Sequence, residues 1–176
     1  MSLPRFHCPQ PLAEGRLLDL PERAAHHALR VLRLRPGDPV VLFSGEGGEF
    51  AAEVASATRG AVTVRVGAFR AGDREAPLPL TLAQGLLPAE KMDLVVQKAV
   101  ELGAARIQPL ATARSRARLA GERAGKRLAH WQAVALAACE QCGRNRVPEV
   151  APVAALAPWL ADRAGSGAGF ALAPGP

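Results

Sequence analysis

Between Arg70 and Pro79 the hydrophobic rhythm of the chain changes, and that change constrains the fold more than any other feature of the sequence. Before it, apolar residues come in short runs. Val40–Phe43, Glu49–Val54 and Ala61–Val66 are predicted strands, separated by Ser44-Gly45-Glu46-Gly47-Gly48 and Thr58-Arg59-Gly60. One helix is predicted over Pro21–Leu34, with proline at its first position and Ala25, Leu29 and Leu32 at helical spacing. The turn Arg35-Pro36-Gly37-Asp38 ends it. Short strands joined by tight turns suggest a small β-barrel. After Pro79, strands and helices alternate. Leu80–Gly85, Ile107–Leu110, a short strand near Val150 and Phe170–Ala173 are predicted strands. Pro88–Leu102, Glu122–Gln141 and Ala155–Arg163 are predicted helices. That alternation specifies a parallel α/β sheet. The stretch from Arg70 to Pro79 reads as a linker, so the expected domains are 1–72 and 73–176, an α+β two-domain arrangement.

The two long helices carry clear apolar stripes. On the first these are Met92, Val95, Val96 and Ala99, with Gly103 closing the helix. On the second they are Leu128, Trp131, Ala135, Ala138 or Cys139, and Cys142. With 176 residues, 49% of them hydrophobic and 22% charged, the chain can bury a real core. That composition excludes a disordered or collagen-like chain. No apolar run approaches the roughly 18–20 residues that span a bilayer, and the first residues lack a secretory pattern. Three cysteines do not make a paired disulfide framework, and a reducing, cytoplasmic setting is expected.

The net charge of +6 is unevenly placed. Residues 106–146 hold nine basic side chains (Arg106, Arg114, Arg116, Arg118, Arg123, Lys126, Arg127, Arg144 and Arg146) against Glu122 and Glu140. That +7 exceeds the surplus of the whole chain. Clustered basic charge is the footprint of a phosphate backbone. The alternative is an arginine-rich composition, nineteen Arg to three Lys, covering a solvated face.

Four motifs could carry chemistry. Cys139-Glu-Gln-Cys142 has the spacing of half a zinc or redox site, but no second pair exists, and two thiols at i and i+3 of a helix are expected to pack in the core. Gly165-Ser-Gly-Ala-Gly169 follows a helix and precedes a strand, the reverse of a phosphate loop, and reads as a connection. His26-His27, beside Arg30, Arg33 and Arg35, suits either packing or RNA phosphate contact. Glu140 to Arg146 is the densest polar cluster, at a helix end that Gly143 would terminate. Its arginines could grip a phosphate or stabilise a developing anion, or could simply solvate a helix C-terminus.

Cys139–Val150 resembles the signature of the bacterial small-subunit rRNA uridine-N3 methyltransferases, the RsmE type. Lys91-Met92-Asp93, Gln97-Lys98, Glu101-Leu102-Gly103 and Ile107-Gln108-Pro109-Leu110 are similar to that family's next most distinctive stretch. In the first module His27, Val31 to Asp38 and Phe43-Ser44-Gly45 resemble its RNA-binding domain. The resemblance implies a PUA-like β-barrel followed by a SPOUT-type methyltransferase domain, Rossmann-like and of the trefoil-knot class. It also implies a homodimer that takes a methyl group from S-adenosylmethionine and places it on N3 of a uridine, position 1498, of 16S rRNA in the small ribosomal subunit. No metal is implied.

The family's Gly-Pro-Glu-Gly-Gly loop has no counterpart before Pro176, so the second domain is expected to be incomplete and to bind the cofactor poorly. Leu172 and Pro174 loosely match the first cofactor-facing loop. Methylating N3 requires loss of its proton, hence a cation for the uracil anion and an acceptor for the proton. Residue chemistry nominates Arg144 for the first role and Glu140, or bulk water, for the second. Arg33, Arg35, Arg114, Arg116 and Arg146 are the expected RNA contacts. The alternative function is a catalytically inert RNA-binding fragment or paralogue that lacks the cofactor pocket.

Overall fold

The computed structural model describes residues 3–72, 74–113, 115, 121–163 and 168–172. The first module is a five-stranded sheet in the order β1 (Arg5–His7), β3 (Pro39–Phe43), β4 (Glu49–Ala57), β5 (Val62–Arg70), β2 (Leu17–Asp19). β1 runs parallel to β3 and the other pairings are antiparallel. Register shifts along the β4–β5 ladder mark two irregularities that increase the local twist. Alternating residues Val40, Leu42, Val54, Val62, Val64 and Val66 point into one core, closed by Ala24, Ala25 and Ala28. The sequence located β3, β4 and β5. It missed β1 and β2, which are three residues each and too short to show a period.

The expected helix over Pro21–Leu34 is corrected. Only α1 (Glu22–His27) is α-helical, and Ala28–Leu32 forms a π-helical turn in which the Arg33 N–H reaches the Ala28 carbonyl. The wider turn rotates the apolar stripe, so Ala28 enters the core and Leu32, expected inside, is exposed.

The second module is parallel throughout. β7 (Arg106–Ala111) lies between β6 (Thr81–Gly85) and an interrupted strand formed by β8 (Glu149–Val150) and β9 (Ala154–Ala155). Proline at position 109 removes a donor from β7, and the Gln108 side chain spans the interruption by donating to the Pro109 and Pro152 carbonyls at 3.0 and 2.8 Å. α2 (Ala89–Glu101) and α3 (Gly121–Cys142) pack together over the sheet through Met92, Val96, Val100, Trp131, Ala135 and Cys139. Val95, expected in the stripe, is only half-buried, and Val100 takes its place. α4 (Leu156–Ala161) is the last element among the described residues. The strand expected over Phe170–Ala173 does not form in its described residues 170–172, which are irregular and exposed.

The two cores meet at one residue. Phe43 ends a strand of the first sheet, yet it is buried among the side chains of the second core. The guanidinium of Arg5 lies 5.3 Å from its ring centre and His7 meets its edge at 5.5 Å.

Candidate functional site

The polar cluster after α3 lies in the junction between the modules. Gly143 turns the chain at φ +89°, a left-handed conformation that glycine adopts without penalty, and its N–H closes on the Cys139 carbonyl at 3.0 Å. A β-carbon there would also meet the Arg74 guanidinium. The chain then runs extended against the β3–β4 loop: Gly47 N–H donates to the Asn145 carbonyl at 3.2 Å, and Val147 N–H to the Gly45 carbonyl at 3.1 Å.

Arg144 points inward and is 4% exposed. Its Nη1 donates to the Val100 and Ala104 carbonyls at 3.0 and 2.8 Å, at the C-terminal end of α2, where the helix dipole favours a cation. Its Nε donates to Glu75 Oε2 at 2.9 Å, and Nη2 pairs with the same oxygen. Four of the five guanidinium N–H groups are thereby committed within the chain. Glu75 comes from the stretch expected to be a linker; its described residues 71–72 and 74–79 form no helix or strand, yet Glu75 and Gly72 are both fastened to this cluster.

Asn145 is 1% exposed. Its Nδ2 donates to the Gly72 carbonyl at 3.0 Å and to Glu49 Oε2 at 3.4 Å, and its Oδ1 accepts from Arg5 Nη2. Arg5 Nη1 donates to Glu49 Oε2 at 2.7 Å, closing a triad drawn from β1, β4 and the post-α3 segment. Burial pushes the Glu49 carboxyl up, but hydrogen bonds from Arg5 and Asn145 and the charges of Arg5 and Arg74 outweigh it and hold the group below its usual range.

Glu140 Oε1 accepts the His7 backbone N–H at 3.1 Å, and Oε2 lies 4.0 Å from Arg23, so this carboxylate fastens α3 to β1 and to α1. The neighbouring Cys139 is buried and its Sγ lies 3.6 Å from the Arg146 carbonyl. Burial, with Cys142 adding to it, pushes its thiol up to about 12, which keeps the sulfur protonated at neutral pH. Among the described residues no group of His, Cys, Asp and Glu could hold a metal.

A cleft of about 670 Å³ opens beside this junction, walled by Gly45, Glu46, Glu75, Arg144, Arg146 and Glu149, among others. The Arg146 guanidinium lies across Gly47, where a β-carbon would stand 2.8 Å from Nη2. Of the residues expected to be catalytic, Arg144 lies against Glu75 and two carbonyls, and Glu140 against β1. Glu140 thereby fastens the second module to the first, and Arg144 fastens Glu75 to the end of α2 within the second. Arg33 and Arg35 stand exposed on the far turn after α1. Arg114, Arg116 and Pro174 lie outside the described residues. Leu172, the residue expected against the cofactor, is 100% exposed. Sequence reasoning missed Arg5, Glu49 and Glu75. They lie 140, 96 and 69 residues from their partners in the cluster, and no local pattern marks such a pairing.

Residues 74–174 match the family model described as RNA methyltransferase domain, and residues 20–67 match that described as RNA methyltransferase PUA domain. The ribosomal RNA small subunit methyltransferase E of Bacillus subtilis is 32% identical over 82% of this chain and 56% of its own length. A crystal structure of ribosomal RNA small subunit methyltransferase E from Neisseria gonorrhoeae, bound to S-adenosyl methionine, superposes with a TM-score of 0.82 at 41% identity. That match covers 86% of this chain and 62% of the other. A Legionella pneumophila structure in complex with the same cofactor gives a TM-score of 0.89 at 34% identity, covering 92% of this chain and 67% of the other. The chain thus spans roughly three-fifths of the length of these relatives.

Proposed function

The chain belongs to the RsmE-type RNA methyltransferase family, and from that premise we propose that it acts in the S-adenosylmethionine-dependent methylation of N3 of a uridine, position 1498, in 16S rRNA of the small ribosomal subunit. The observation that carries the reading is the 41% identity and close superposition with the cofactor-bound Neisseria gonorrhoeae structure across both modules. The first module grips RNA and the second presents the site of methyl transfer. The cytoplasm is the expected compartment and a homodimer the expected assembly.

Within this reading Arg33, Arg35 and Arg146, with Arg114 and Arg116, contact the RNA backbone. Arg144 and Glu140 act through position. Arg144 ties the end of α2 to Glu75 within the second module, and Glu140 ties α3 to β1, so the second of these ties sets the angle at which RNA bound by the first module meets the second. A displacement of about 1 Å at a reacting centre is enough to cost two orders of magnitude in rate, which is why such ties matter.

A second reading, RNA binding without methyl transfer, is favoured by the full exposure of Leu172, the residue expected against the cofactor. Calorimetric titration with S-adenosylmethionine separates the two. Saturable heat supports the methyltransferase reading. A chain that binds small-subunit RNA yet gives no heat with the cofactor belongs to the second.

A further inference from the structure

We infer that the turn following α1 is a contact site for an unstacked base of single-stranded RNA, with Arg33 held in an unfavourable backbone conformation in order to reach it. The inference rests on the RNA-binding reading and deepens it.

Arg33 sits at φ 56°, ψ 40°, and among the described residues it is the one position outside glycine with a positive φ. The other positive-φ positions, including Gly37 four residues later, are all glycine. Glycine adopts this region without steric cost and arginine does not. The backbone itself demands the conformation, because the π turn ends here with both the Arg33 and Leu34 N–H groups on the Ala28 carbonyl, the latter at 2.9 Å, while Leu34 returns to the core. Nothing in the fold demands the arginine side chain.

The surroundings supply a second observation. Val31 is 62% exposed and Leu32 39%, an aliphatic tip flanked by the exposed Arg30, Arg33 and Arg35. No carboxylate among the described residues pairs with these three guanidinium groups. The one nearby acid, Asp38, is engaged by the Arg35 backbone N–H at 2.7 Å. Aliphatic surface beside unpaired, planar cations suits the face of a splayed base together with its phosphates. A duplex keeps its base faces stacked and presents only backbone, 2′-hydroxyls and base edges to the same tip.

The test compares the full chain with its Arg33→Gly and Val31→Ser variants, using a short labelled single-stranded RNA and the duplex of the same sequence. Arg33→Gly relieves the backbone, so the thermal midpoint should stay or rise by about 2–4 °C. Single-strand affinity should fall about tenfold. Val31→Ser should weaken single-strand binding and leave duplex binding unchanged. Parental affinity in Arg33→Gly, or a lowered midpoint, would overturn the inference while leaving the RNA-binding reading in place. Failure of the parental chain to bind either RNA would remove the RNA-binding reading itself, and the inference with it.

Discussion

Arg144 and Glu75 meet at the start of the second module, Nε 2.9 Å from Oε2, although 69 residues separate them in the chain. The pair is nearly closed to solvent, and the same guanidinium also caps the carbonyl end of α2. The residue that chemistry nominated as a substrate-facing cation thus joins Glu75, the end of α2 and the turn after α3.

Removing one member of a buried pair leaves the other charged and unpartnered. Arg144→Ala should lower unfolding free energy by about 3–5 kcal/mol. The double variant with Glu75→Ala should lose less than the sum of the singles. Denaturant titration of the four proteins of the cycle reads the coupling, and additive losses would show that the pair contributes nothing as a pair.

The Glu49 carboxyl carries a pH dependence. Its folded value lies below the ordinary 4.5, so its contribution is fully present above that pH and is lost as pH falls through the lower folded value. Glu49→Gln should be less stable at pH 7 than the parent and should lose less stability on acidification. Thermal midpoints measured from pH 7 down to about pH 3 check both, and parallel acid profiles would remove Glu49 from the account.

How much of this was visible beforehand follows from sequence distance. α2, α3, β3, β4, β5 and β7 were legible because each is long enough to show its own period, and Trp131, Ala135 and Ala138 fell inside as their spacing required. The cluster Glu140 to Arg146 was legible as a dense run of polar residues at a helix end. Its wiring was not, because Arg5, Glu49, Gly72 and Glu75 reach it only through the tertiary fold. Position 75 looked like linker because its neighbours are small, charged and proline-rich, a composition that reports flexibility but not an anchor. The π turn was hidden for a different reason. Its residues have good helical spacing, and the wider hydrogen bonding leaves no local compositional mark.

Gly143 is constrained twice, by φ +89° and by the Arg74 guanidinium packed against it. Gly143→Ala should cost at least about 1–2 kcal/mol from the backbone alone. Denaturant midpoints test this, and a variant as stable as the parent would mean that the turn can re-form with a right-handed residue.

The buried thiols should be silent in the folded chain. With Cys8 and Cys139 each pushed up to about 12, neither should react with iodoacetamide at pH 8, and both should label after unfolding. Mass mapping of the labelled peptides gives the result. Rapid native labelling of Cys139 would show that the CxxC end of α3 opens.

The central claim is that this chain works on small-subunit rRNA as a uridine-N3 methyltransferase, and primer extension tests it most directly. Small subunits lacking the modification are incubated with the protein and S-adenosylmethionine, and their 16S rRNA is then copied by reverse transcriptase. A methyl group on N3 blocks the pairing edge of uracil, so the account predicts a strong, cofactor-dependent stop at uridine 1498 and at no other uridine. Full-length copies from subunits that demonstrably bound the protein and the cofactor would contradict it.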